Sequence, residues 1–200
     1  MSKVVILCLC ICFLATVICQ VPRPCQTPPA WEGNASSYDH GKGIHNFWRI
    51  SYDQANRRKR IVDEIRVGTP ERTYHDLIML YNTDPPVFYD INLITRECRK
   101  FSPFFPWLPY EIPENAHFIG EFTLGGKLLV TEWSDAVPGI RPETWLGQFT
   151  VDGCIPVHEV IANGNISQSV TTTFYDIIGG IANYNVFIPP SECEEAEMEV

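Results

Sequence analysis

Cysteine thiols are the side chains here with the plainest chemistry, and their spacing splits them into two groups. Cys8, Cys10, Cys12 and Cys19 sit in an apolar N-terminal run, whereas Cys25, Cys98, Cys154 and Cys193 are scattered over the rest of the chain. The run follows Lys3, carries no charge from Val4 to Val17, and reaches a small-residue pattern at Val17 and Cys19 before Gln20. It is shorter than the roughly 20 residues that a bilayer core requires. Polar, Pro-rich sequence follows it, so residues 1–19 read as a secretory signal peptide. The other four cysteines then meet an oxidising compartment, where an even count predicts two disulfides with three connectivities open.

Catalytic chemistry finds little support. The sequence holds no Gly-x-Ser-x-Gly elbow, no His-Glu-x-x-His pair, no phosphate-binding loop and no paired-cysteine metal spacing. His40, His45, His75, His117 and His158 are scattered and read as surface or hydrogen-bonded residues. A non-enzyme without a cofactor is expected. Glu192, Glu194, Glu195, Glu197 and Glu199 could hold Ca²⁺ weakly, but they lack the alternating ligand positions of a preformed loop. Residues 194–200 are therefore expected as an acidic, disordered tail. Two acceptor sequons, Asn34-Ala35-Ser36 and Asn165-Ile166-Ser167, mark N-glycosylation in turn-rich stretches. Arg57-Arg58-Lys59-Arg60 reads first as a solvated hairpin edge guarded by charge. A processing site before Ile61 and a cationic strip for anionic lipid headgroups are the two functional readings of the same run.

Composition bounds the rest. Formal charge is −9 for the whole chain, one unit more negative without Lys3, which speaks against nucleic acid as a partner. The same balance opposes membrane contact at neutral pH. Acidification relaxes it, since carboxylates lose charge and the histidines gain it. Hydrophobic residues at 45% and aromatics at 12% exclude a disordered chain. Residues 20–193 fit one domain, large enough to bury about 70% of its extended surface and to enclose a cavity.

The elements that must position these groups are strands. Short alternating segments separated by turn residues predict an antiparallel β domain with strands at 47–52, 59–67, 74–81, 87–93, 118–124, 128–133, 145–151, 155–161 and 169–175. Nine strands exceed what one flat sheet usually carries without curling. The apolar strand faces read first as ordinary sandwich core. On the alternative reading part of them lines a cavity, which Gly120 and Gly147 could widen. Parity then nominates Trp48, Ile50, Met79, Tyr89, Ile91, Phe122, Trp133, Trp145 and Phe149 as lining residues, without saying which face is the cavity. Residues 102–113 stand apart: Pro103, Pro106, Pro109 and Pro113 are spaced among Phe104, Phe105, Trp107, Leu108 and Tyr110. Such a stretch can form neither helix nor central strand. It reads as a stiff connector over one end of the core, or as a lid over a pocket.

Several phrases carry a family likeness. They include Cys25-Gln26-Thr27-Pro28-Pro29-Ala30-Trp31-Glu32-Gly33, Val130-Thr131-Glu132-Trp133-Ser134-Asp135, Glu143-Thr144-Trp145-Leu146-Gly147, Gly153-Cys154-Ile155-Pro156-Val157 and Phe187-Ile188-Pro189-Pro190-Ser191-Glu192-Cys193. In order and spacing they resemble the ependymin family, the mammalian ependymin-related type more than the fish brain ependymins. The resemblance implies a secreted or lysosomal glycoprotein, often a homodimer, built of two curved antiparallel sheets with few short helices. The sheets would stack around an apolar pocket, as in bacterial lipoprotein carriers. It further implies binding of hydrophobic molecules: fatty-acyl lipids, anionic lipids or gangliosides. Carried over residue by residue, it pairs Cys25 with Cys154 and Cys98 with Cys193. A third bridge of vertebrate relatives lacks both partners here, with Glu71 at the first position and no cysteine after Cys193, so a looser C-terminal tail is expected. The alternative function is a calcium-binding structural or adhesion glycoprotein.

Overall fold

A computed structural model of the chain describes residues 22–66, 72–103, 106–135, 144–162 and 169–199. The leader, Glu71, Phe104, Phe105 and the Asn165 sequon lie outside the described residues.

Twelve strands form the fold: β1 (Ala30–Asp39), β2 (Ile44–Asp53), β3 (Arg58–Arg66), β4 (Arg72–Leu80), β5 (Val87–Asn92), β6 (Cys98–Phe101), β7 (His117–Leu124), β8 (Leu128–Ser134), β9 (Trp145–Thr150), β10 (Pro156–Ala162), β11 (Ser169–Gly179) and β12 (Met198–Glu199). Their order is β12-β6-β5-β4-β3-β2-β1-β11-β10-β9-β8-β7. Every neighbour pairs antiparallel except β12 with β6, which is parallel. The mainly β expectation therefore holds, with one correction. The two stacked sheets are a single continuous one.

That sheet bends. Lys59 on β3 and Glu159 on β10 are four strand spacings apart, about 19 Å on a flat sheet, yet both line one cavity. The strands on either side of β1, β2 to β4 and β9 to β11, curl toward each other and supply the two facing walls that separate sheets were expected to give. β1 lies at the centre of the curl between β2 and β11. On the concave side Trp31, Ala35, Ile50, Tyr52 and Phe174 form one buried cluster. Ile112, Trp133, Phe149 and Cys154 form a second. On the convex side of β4 and β5, Ile78, Ile91 and Cys193 form a third. The C-terminal segment covers it, with 3₁₀ turns at Tyr184–Phe187 and Ser191–Cys193.

Both inferred bridges are formed. Cys25–Cys154 and Cys98–Cys193 join residues 129 and 95 apart in sequence. The first pins the entering chain beside Trp133 and Phe149. The second ties β6 to the C-terminal segment. The acidic terminus, expected to be loose, is laid along β6: Met198 and Glu199 pair with Lys100 and Phe101, and Arg99 holds the Glu199 carboxylate through Nε at 3.0 Å and Nη2 at 2.7 Å. A two-residue strand and a complementary charge thus hold the end without a third disulfide.

Candidate functional site

The 102–113 stretch is built into the concave side. Trp107 stacks on Tyr52, centroids 5.6 Å apart and planes 5° from parallel. Tyr110 meets Trp31, Tyr52 and Phe174 at 5.3, 5.2 and 5.7 Å. Its backbone is fastened at both groups: the N–H donates to Tyr52 Oη at 3.2 Å and the carbonyl accepts from Thr27 Oγ1. Gln26 bridges to Glu111, and Ile112 is buried in the second cluster. The proline-spaced rings thus form a strap from 106 to 113, anchored by the residues just after Cys25.

Between strap and sheet lies a cavity of about 500 Å³. β2, β3 and β4 supply Trp48, Lys59, Ile61 and Met79. β9, β10 and β11 supply Trp145, Glu159, Ile161, Val170 and Thr172, and the strap adds Trp107, Leu108, Pro109, Tyr110, Glu111 and Pro113. Tyr81, just past β4, completes the wall. The volume falls in the roughly 300–1,000 Å³ range of small-molecule sites, and so does the mix of apolar walls with a few polar groups.

Those polar groups are displaced from their usual equilibria by burial. It pushes the Lys59 ammonium down to about 8, with Glu159 pulling the other way. It raises the Glu159 carboxyl, against the Trp145 Nε1–H, which donates to Glu159 Oε1 at 2.8 Å, and against Lys59. Tyr52 is pushed up to about 12, and Tyr110 is raised by burial and by Glu159. Among the described residues no cluster of three or more His, Cys, Asp or Glu could hold a metal ion.

A model of the ependymin family matches residues 69–193. The chain belongs to the ependymin family. It is 36% identical over 181 residues to mammalian ependymin-related protein 1 of Mus musculus, covering 89% of this chain and 80% of that protein. To the ependymin of Clupea harengus it is 24% identical over 202 residues, covering 97% and 92%. Within the family it is thus more similar to the mammalian related protein than to the herring one. Among solved structures, an uncharacterized conserved protein from Thermus thermophilus superposes with TM-score 0.53 at 11% identity, over 87% of this chain and 90% of that one. At that identity the likeness shows the fold alone.

Of the nine residues nominated by parity, this ependymin-family chain brings three to the cavity: Trp48, Met79 and Trp145. Ile50 is buried in the core cluster on the same strand face as Trp48. Trp133 and Phe149 fill the second cluster. Ile91 is in the third, with Tyr89 packed against it, on the opposite face of the sheet. Phe122 is exposed on β7, the last strand of the sheet. The glycines are occupied by rings and do not widen the space. A Cβ on Gly147 would stand 2.3 Å from Trp145 Cζ2 and 2.8 Å from Phe149, and one on Gly120 2.9 Å from Phe122.

The basic run resolves by alternation. Arg58 bonds Asp53 through Nε at 2.8 Å and stands over the Phe187 ring at 4.4 Å. Arg60 makes a two-pronged pair with Asp76 at 2.7 and 2.6 Å. Lys59 points the other way, into the cavity, and Arg57 alone of the four is exposed. β3 lies between β2 and β4, so the solvated-edge reading is corrected. Asn34 is also placed differently from expectation: it stands in β1 and not in a turn, is exposed, and donates to Asp176 Oδ2 at 3.2 Å.

Proposed function

We propose that this chain is a secreted, non-enzymatic binder of hydrophobic molecules, taking an acyl chain between the curled sheet and the strap. The observation that carries the reading is the cavity itself. It is apolar on most sides, walled by strands from both sides of β1, and roofed by rings whose backbone is fastened at Tyr110. Each buried CH₂ contributes about 0.8 kcal/mol, so a long chain reaches micromolar affinity or tighter after association costs. The described lining contains no Ser, Cys or His, which favours holding over turnover. Secretion is supported by the leader-like N-terminus and by two bridges of the kind that persist in oxidising compartments. In this reading Asn34 and Asn165 carry glycans, and the ligands are fatty-acyl lipids, anionic lipids or gangliosides in the extracellular space or the lysosomal lumen.

The test is extraction of the glycoprotein from its native source for lipid mass spectrometry, with uptake of the neutral fluorescent probe N-phenyl-1-naphthylamine at pH 4.5 and 7.4. Co-purified lipid and saturable uptake are expected. A clean extract together with no uptake would sink the reading.

A further inference from the structure

A lysine ammonium carries three donors and no acceptor, and setting it among apolar side chains is unfavourable unless an anion meets it. Lys59 is set in that way. Its Nζ stands 4.1 Å from the Tyr110 ring centroid, with Trp107 and Tyr52 at 5.7 and 5.9 Å. The rings offset part of the lost hydration but accept no N–H as an oxygen would. Arg58 and Arg60 beside it have carboxylates at 2.8 and 2.6 Å. Among the described residues the Lys59 ammonium makes no ion pair and no hydrogen bond, although its backbone is paired in the sheet. The titratable groups that share its cavity or face it are Glu159 from β10, Glu111 and Tyr110 from the strap, Tyr81 just past β4, and Tyr52 from β2. Glu159 already accepts the Trp145 Nε1–H and reaches Lys59 only through its charge, so the ammonium is the group still without a hydrogen-bonding oxygen.

We propose that Lys59 is an anion anchor inside the cavity, receiving the carboxylate or phosphate head of a single-chain amphiphile whose hydrocarbon lies against Trp48, Ile61, Met79 and Trp145. This rests on the cavity being the ligand site, as proposed above. The head then sits beneath the strap and not at the rim. Burial raises the Glu159 carboxyl, which lessens the charge that would repel an incoming anion. A cationic head is the poorer fit, because it would meet Lys59 at short range.

The test is displacement of N-phenyl-1-naphthylamine at pH 6 by palmitate, lysophosphatidic acid, hexadecanol and methyl palmitate, in the wild-type protein and in Lys59→Met. One or both acids should displace the probe at least about tenfold more tightly than the neutral ligands, as charge-assisted hydrogen bonds imply. Which acid wins distinguishes carboxylate from phosphate. In Lys59→Met, with each competitor's displacement referred to that variant's own probe affinity, the preference should vanish, while Lys59→Arg keeps it and Glu159→Gln binds the acid at least as tightly. Lys59→Met should also melt at the same or a higher temperature, which a lysine kept for structure would not allow. Equal displacement by acids and neutral ligands, or a preference that survives Lys59→Met, overturns the anchor while the carrier reading stands. Failure of the wild-type protein to bind the probe removes both. Should Lys59→Met not fold, Lys59→Gln and the wild-type comparison of head groups decide.

Discussion

Burial holds the Lys59 ammonium at about 8, below the ordinary 10.5, while Glu159 opposes the shift. Between those values the unfolded chain binds the proton and the folded chain does not, so stability rises with pH across that window. Below about pH 8 the whole penalty is present, on the order of 3 kcal/mol as an upper figure, since the ammonium keeps contact with the cavity. Urea midpoints should therefore rise from pH 8 to 10 in the wild-type protein and less so in Lys59→Met. A flat wild-type profile would contradict the buried placement. Gly147 is the second residue whose smallness matters to the site. An added Cβ would meet the Trp145 ring, which lines the cavity and donates to Glu159. Gly147→Ala should cost about 1–3 kcal/mol by overpacking and weaken probe binding, read by denaturation and fluorescence titration. Trp48, Met79 and Trp145 were legible because strand parity gives a side of the sheet. Lys59 was hidden by its neighbours: a run of four cations reads as solvated charge, although alternation sends its members to opposite faces.

At the scale of elements, all nine expected strands are present, because alternation at period two is a local property. β1 was not visible. Its centre, Gly33-Asn34-Ala35-Ser36-Ser37, consists of residues with little strand preference. It is held by partners on both sides, its Ala35 and Ser37 buried. β6 and β12 escaped by shortness. Curvature was equally beyond a periodic pattern, since parity says which residues share a face and not how far that face bends. The strap yields a prediction that separates the two disulfides. Removing either should cost about 2–5 kcal/mol. Only Cys25–Cys154 is followed directly by the residues that fasten the strap, Gln26 to Glu111 and Thr27 to Tyr110. Cys25→Ser/Cys154→Ser should thus release a bound probe several-fold faster in stopped flow, an order of effect expected when a lid opens more often. Cys98→Ser/Cys193→Ser should leave release unchanged.

For the molecule as a whole, buried titratable groups set how stability responds to acid. Burial lifts Asp63 to about 6, with the Asp90 charge adding and His75 opposing, and it raises Glu159 as well. A carboxyl raised in the folded state binds its proton more tightly there, so stability grows as pH falls through the raised value and is complete below the unfolded one. For Asp63 this amounts to roughly 3 kcal/mol. Asp53 behaves oppositely: burial pushes it up, but Asn56 and Arg58 outweigh that and hold it below 3.8. Its contribution is therefore lost only in stronger acid, below about pH 3.8. His158, lowered by burial against the pull of Glu132, subtracts stability as pH drops below 6.5. Between pH 7 and 5 Asp63 therefore adds stability where His158 removes it. Asp63→Asn should raise the urea midpoint at pH 7 and reduce whatever gain the protein shows toward pH 5, and His158→Asn should enlarge that gain. The same protonation of Glu159 that stabilises the fold leaves Lys59 without a competing charge. If the anchor operates, palmitate affinity must gain as Glu159 takes up its proton, and that part of the pH dependence must be lost in Glu159→Gln.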